Sequence, residues 1–370
     1  MTSKIVFVAD FFADQVQGGG ELNNEEVISL LKDRGHTLEK VLSQNVTKDF
    51  LLKNKESNFI VANFIGLSEE CKRDLYSKSY KYIIYEHDHK YLRTRDPSGF
   101  ENHTAPKDQI INLPFYTNAL GVMCQSKMHK EVVYKNLQID NIHNLSGNLW
   151  GEDILDKLST LNKKEKHNKY SIWDSYNPIK ATSDTIRFCH SKSIPYELVG
   201  NLPYQDFLEK MSNNDTFIFL PKTLETLCRV IVEARMCGMK VVTNNQVGAT
   251  SESWFSLKGD DLIEVITNEG LKLIVPETNI YKIIPDNLLI DIQMINRLEC
   301  EYYNSLDYYF NDMKVMNKKK KELLKKYSGK SKIYYEFVEC ILMNKRKRDA
   351  FDEMLRINIY DILYNNLIDF

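Results

Sequence analysis

The densest concentration of potential chemistry lies in residues 216–252, TFIFLPKTLETLCRVIVEARMCGMKVVTNNQVGATSE. An apolar run at 216–220 enters a loop. A helical pattern follows over 229–237 and stops at Gly238, the residue type that best adopts the left-handed turn past a helix end. Glu225 falls in the loop at the helix N-terminus, and Glu233 lies about two turns further on, so both can face the strand ends. A helix N-terminus offers unpaired N–H groups and a positive dipole end to a diphosphate. A carboxylate accepts paired hydrogen bonds from vicinal hydroxyls, which sugars and ribose both present. Taken alone, two such glutamates also read as solvent-facing charges; the surrounding sequence makes them candidates.

Three further clusters can act on the same ligand. Lys180 follows the apolar start of SIWDSYNPIKA (171–181) and can pair with a phosphate; out of that context it is a solvated loop lysine. Gly18, Gly19 and Gly20 follow a strand and open a helix, and glycine lets a backbone approach a bound group closely. Gly19 and Gly20 are the candidates there, a flexible turn being the other reading. In YEHDHKYLRTR (85–95), strand alternation puts His87 and His89 on one side and Asp88 on the other. An HxH pair can hold a metal, but no third ligand cluster accompanies it and no DxD occurs, so no metal is predicted. Titratable groups at a strand end suit acceptor positioning or transition-state hydrogen bonding. His87 and Asp88 are read as catalytic, His89 and Arg95 as acceptor-side, against the alternative of histidines satisfied in the core.

These groups need a scaffold of strands and helices in alternation. Residues 4–9 form a short apolar run, and 21–34 a helical pattern closed by Gly35; buried-type runs recur at 59–64, 82–85 and 120–124. Strand and helix alternation implies a parallel sheet. The polar, lysine-rich 162–169 (NKKEKHNK) reads as a linker, after which strands at 197–199, 216–220 and 240–243 build a second unit. With 370 residues, 43% of them hydrophobic, the chain suits two α/β domains rather than one core. Beyond residue 280 the pattern is helical. Basic runs at 318–326 and 345–348 read either as solvated helix faces or as an edge guiding a phosphate-bearing acceptor.

The net charge of −2 excludes a global field that gathers polyanions. Seven cysteines without CxxC spacing fit reduced thiols better than disulfides or zinc. The N-terminus lacks a signal-peptide pattern, and no apolar run reaches the roughly 18 residues that span a bilayer; a soluble, cytoplasmic protein is expected.

The 216–252 stretch resembles the donor site of the retaining glycosyltransferases of the GT-B fold, of the family 4 or group 1 kind. The match runs through Pro221, Glu225, Glu233, Ala234, Cys237, Gly238, Val241, Val242, Gly248 and Glu252. The resemblance implies two Rossmann-like domains facing each other across a cleft: 1–165 on the acceptor side, 166–330 binding the nucleotide sugar, and 331–370 as C-terminal helices packing back on the first domain. It assigns Glu225 to the transferred sugar, Glu233 to the ribose, Lys180 to the diphosphate, and Gly19 and Gly20 to the opposite wall. Thr226, Leu227 and Cys228 stand where a glycine-rich step is common, with Thr226 and Leu227 still placed at the donor. The arginine that partners the lysine is missing, Asp174 or Ser175 lying in its region, so Lys222 or Arg229 must take its place. The HDH segment with Leu92 and Arg95, and IPYELVGN (194–201), are similar to the DNA α-glucosyltransferases of T-even phages.

The implied activity is metal- and cofactor-independent transfer of a hexose or pentose, with retention, from a nucleotide-diphosphate sugar such as a UDP-sugar. The implied acceptor is a glycan or a hydroxymethylated base of phage DNA, in a bacterial or phage-infected cell. A nucleotide-sugar epimerase or a non-catalytic nucleotide-sugar binder of the same fold is the alternative.

Overall fold

The computed structural model describes residues 4–33, 35–200, 202–267 and 310–327. The first sheet is wholly parallel. It is built from β1 (Ile5–Ala9), β2 (Leu38–Leu42), β3 (Asn58–Val61), β4 (Lys81–Glu86), β5 (Val122–Cys124) and β6 (Ile142–Asn144), in the order β2-β1-β3-β4-β5-β6. All five residues of β1 are buried, as expected of a parallel strand covered on both faces. Between the strands run α1 (Gly19–Asp33), α2 (Lys48–Lys53), α3 (Glu69–Ser77), α4 (Leu113–Thr117) and α5 (Lys127–Leu137). The order reverses at β1, so a crevice opens at the carboxyl ends of β1, β3 and β4.

α6 (Glu152–Asn162) leads to the second sheet: β7 (His167–Trp173), β8 (Tyr196–Val199), β9 (Asn214–Phe219) and β10 (Lys240–Thr243), parallel in the order β10-β9-β7-β8. Its helices are α7 (Thr182–Ser191), α8 (Tyr204–Met211), α9 (Arg229–Met236) and α10 (Asp260–Thr267). The chain is thus α/β with two Rossmann-like parallel units, the organisation of the GT-B fold. The stretch expected as a linker, 162–169, holds the last residue of α6 and the first three of β7. Those three residues are exposed, and their pairing to β9 is irregular between His167 and Tyr170. Strand there rests on backbone pairing alone and leaves no hydrophobic signal.

The two sheets lie in one compact unit and are locked by groups each borrows from the other. The N-terminus of α5 is satisfied from the second half: Lys127 N donates to Glu252 Oε1 (2.5 Å) and Met128 N to Ser251 Oγ (3.0 Å). Ser126 Oγ donates to the Thr226 carbonyl (2.6 Å), and buried Trp254 donates from Nε1 to the Ser146 carbonyl (2.8 Å). Four orphan N–H groups begin any helix, and meeting two of them from the turn after β10 fixes the relative position of the halves. Gly248 is required here, because a Cβ on it would collide with the Thr226 carbonyl and Ser126 Oγ.

A second unit contributes α11 (Phe310–Tyr327). Within it Leu323 and Leu324 are buried, while Lys318, Lys321, Lys325 and Lys326 are exposed. The run at 345–348, the helices expected over 331–370, the helical pattern over 280–309, Arg34 and Asn201 lie outside the described residues. Among the described residues five cysteines are free and buried, and no helix is long and apolar enough to cross a membrane.

Candidate active site

A cavity of about 380 Å³ separates the carboxyl ends of the first sheet from the loop that follows β9. One wall is made where strands end: Asp10 and Phe11 after β1, Asn63 after β3, His87 and Asp88 after β4, and Gln125 after β5. Gly19 and Gly20 complete it as the first residues of α1. A Cβ on Gly20 would stand 3.5 Å from His87 Cγ, and one on Gly19 3.5 Å from Arg229 Cβ. The protein itself would accept either side chain, so what the glycines leave open is room above the N–H groups of the first turn.

The opposite wall is residues 225–229. Glu225 is pinned by its backbone, its N–H donating to the Gln246 carbonyl and its carbonyl accepting from Gly248 N, both at 2.8 Å. Its carboxylate projects to the cavity and pairs with Lys180, Nζ to Oε1 at 2.6 Å. Lys180 comes from the turn after β7, reaches the cavity through Glu225, and lies 5.2 Å from the Trp173 ring centroid. An ammonium and a carboxylate are thereby presented together, suited to a diphosphate and a hydroxylated ring. Thr226 Oγ1 lies 2.6 Å from Gln125 Oε1 and 3.1 Å from the His87 carbonyl, tying the two walls. Leu227 lines the cavity. Cys228 has φ +72° just before α9, a conformation glycine takes freely; this is where the glycine-rich step of the resemblance is absent, and a cysteine bears the strain instead.

The resemblance assigns Glu233 to the ribose. The residue is 2% exposed and does not line the cavity. Its Oε1 accepts from Arg229 Nε (2.8 Å), Trp150 Nε1 (2.9 Å) and Tyr204 Oη (2.5 Å). A buried guanidinium needs a counter-charge, and Glu233 supplies it one helical turn away. Arg229 also donates from Nη1 to the Leu149 carbonyl (2.6 Å) and stacks on Trp150, 4.4 Å from its centroid. Of the two cations weighed for the missing arginine, Arg229 lines the cavity. Lys222 does not: it is mostly exposed and pairs with Asp184 at 2.6 Å.

The HDH segment divides. The ring of His87 lines the cavity, but Nε2 meets Asn24 Oδ1 (2.6 Å) and Nδ1 meets Gln125 Nε2 (2.8 Å). Burial brings its pKa down to about 3, with the Lys90 charge adding to the effect. It is held neutral, with both nitrogens engaged in the wall. Asp88 is also in the wall; burial pushes its carboxyl up, but Lys90 and Arg95 outweigh this and hold it near 2. Arg95 grips Asp88 through Nε (2.9 Å) and Nη2. His89, expected beside the acceptor, is turned into the core. It is 1% exposed, with Nδ1 on Tyr91 Oη at 3.0 Å and its ring against His129. The peptide chain bends after β4 ends at Glu86, so strand alternation no longer applies at 87–89.

Sequence reasoning missed Asp10, Glu21, Asn63, Lys90, Gln125 and Asn148 in the cavity wall. Asp10 and Gln125 are polar residues directly after apolar strands, a signal that was available. Lys90 is buried and pairs with Glu86 at 3.0 Å, and nothing in its local pattern announces that. Among the described residues no group of three or more metal-ligating side chains is assembled.

No family model and no curated protein matches this sequence. Solved structures do: the protein is similar to an α-glucosyltransferase in complex with UDP (14% identity, 96% of each chain, TM-score 0.43). It is also similar to Anabaena HepE with UDP-glucose (14%, 67% of this chain and 82% of that one, 0.44) and to sucrose-phosphate synthase from Thermosynechococcus elongatus (11%, 66% and 82%, 0.46). These neighbours are GT-B glycosyltransferases.

Proposed function

We propose that the protein is a glycosyltransferase that binds a nucleotide-diphosphate sugar in this cavity and transfers the sugar to an acceptor hydroxyl. The observation that carries the reading is the Lys180–Glu225 pair facing the glycine-opened N-terminus of α1 across a space of about 380 Å³. The diphosphate lies against Lys180, Arg229 and the two helix N-termini, whose fixed dipoles and charges stabilise the negative charge that grows on the leaving phosphate. Glu225 accepts from the sugar hydroxyls. Transfer proceeds with retention, the acceptor hydroxyl attacking from the side on which the nucleotide departs. The departing phosphate takes its proton, since His87 and Asp88 are both poor bases at neutral pH. The acceptor, a glycan or a hydroxymethylated base in DNA, enters on the side of Asp88 and Arg95.

The test is nucleotide release from a panel of nucleotide sugars, UDP-glucose first, with and without glycan and hydroxymethylated-DNA acceptors. Acceptor-dependent release supports the reading. Donor binding by calorimetry without release from any donor points instead to an epimerase or a binding protein.

A further inference from the structure

A second cavity of about 540 Å³ adjoins the first and shares Ile65, Lys90 and Arg95 with it. Neither Glu225 nor Arg229 reaches it, so it lies on the first-sheet side, away from the place assigned to the donor. Its charged lining is Lys72, Lys90, Arg93 and Arg95 against the single carboxylate of Glu69, in a chain whose net charge is −2. Lys90 is also paired with Glu86 at 3.0 Å and Arg95 with Asp88, so the surplus positive charge is that of Arg93. Lys72, with its side chain 8% exposed, is 2.8 Å from Glu69, but that carboxylate is 77% exposed and screened by water. The Lys72 and Lys90 ammonium groups both approach the Phe64 ring, at 5.4 and 5.9 Å from its centroid. Arg93 is exposed and makes no ion pair among the described residues. Phe64, Ile65, Leu92 and Ile111 supply an apolar floor.

The uncompensated charge of Arg93 beside an apolar floor is open to an anion. The guanidinium fork of Arg93 suits the paired oxygens of a phosphate, and Arg95, whose Nε and Nη2 are held by Asp88, lines the same cavity. We propose that this cavity is a phosphate-binding subsite for the acceptor, holding a phosphate group of that molecule while its hydroxyl reaches the shared wall at Arg95. The inference rests on the transferase reading for calling the bound molecule an acceptor, but the phosphate site itself is independent of it.

The experiment uses the full chain with UDP at saturation, so that the donor's phosphate site is filled. Inorganic phosphate is titrated at constant ionic strength and read by the NMR shift of the Arg95 Nε–H group; a second arm uses dimethyl phosphate. Saturable shifts are expected in at least one arm, weakened roughly tenfold or more by Arg93→Glu and less by Arg93→Lys. A response to phosphate alone identifies a terminal phosphate, and a response to dimethyl phosphate a backbone diester. No saturable shift in either arm, or equal affinity in Arg93→Glu, overturns the proposal. Calorimetry of UDP on the same proteins keeps the two readings apart. Absent UDP binding removes the donor reading, and the titration then decides the phosphate site on the free protein.

Discussion

Replacing Glu233 distinguishes a structural carboxylate from a ribose ligand. Glu233→Ala leaves Arg229, 7% exposed, without its counter-charge and strips the acceptor from Trp150 Nε1 and Tyr204 Oη. Removing one partner of a buried pair costs about 3–5 kcal/mol. In a unit of this size that corresponds to a fall in Tm of about 6–20 °C, taking roughly 2–4 °C per kcal/mol. Arg229→Met with Glu233→Leu removes both charges and should recover part of the loss. It leaves Trp150 and Tyr204 unsatisfied, at about 1–3 kcal/mol for a buried donor. Urea denaturation of Arg229→Met, Glu233→Leu and the double closes a cycle in which a coupling of about 1–3 kcal/mol is expected. UDP affinity, measured well below the lowered Tm, should change less than the stability does. Additive single effects, or unchanged stability with a large loss of UDP affinity, would refute the reasoning and return Glu233 to the ribose.

Lys180→Met removes a charge-assisted contact of about 1.5–3 kcal/mol, so UDP affinity measured by calorimetry should fall roughly ten- to hundredfold; undiminished affinity counts against the diphosphate site. Glu225→Ala should suppress turnover while UDP affinity holds, because Lys180 is released from its pair; equal losses in both would place Glu225 on the nucleotide instead. Gly248→Ala forces a Cβ into the Thr226 carbonyl, and overpacking of this kind costs about 1–3 kcal/mol; a wild-type Tm would show that the loop relaxes freely. Burial pulls the pKa of His89 down to about 4 and that of His129 well below its usual value. Below about pH 6.5 the unfolded chain therefore binds protons that the folded protein does not. Stability present at neutral pH should be lost as pH falls from about 6.5 toward 4, by up to about 1.4 kcal/mol per pH unit for each histidine. Urea midpoints at pH 7 and 5 report this, and His89→Gln should flatten the difference.

Local pattern was enough to place most of what is repetitive. The runs at 4–9, 82–85 and 240–243 became β1, β4 and β10, and the pattern at 229–237 became α9, because burial on both faces writes itself as apolar runs and helices as a 3.6-residue period. The half-buried edge strand β2 and the exposed start of β7 carry no such imprint. Residues set by their own peptide geometry were also legible: Gly19 and Gly20 at the head of a helix, and Glu225 in the loop before one.

What the sequence by itself determined is the α/β alternation, the strand ends, and the list of side chains available there. Only the tertiary structure decided which of those side chains are free to act. Glu233 became the buried counter-ion of Arg229 because two chain segments far apart in sequence, at Leu149–Trp150 and at Tyr204, close over the pair. His89 turned into the core, His87 lost both nitrogens to Asn24 and Gln125, and Lys222 found Asp184. Lys90 and Arg95 came to stand between two cavities. A charge is engaged or available according to its neighbours in space, and those that bury it, as Trp150 and Tyr204 bury the Arg229–Glu233 pair, come from separations no local window of sequence contains.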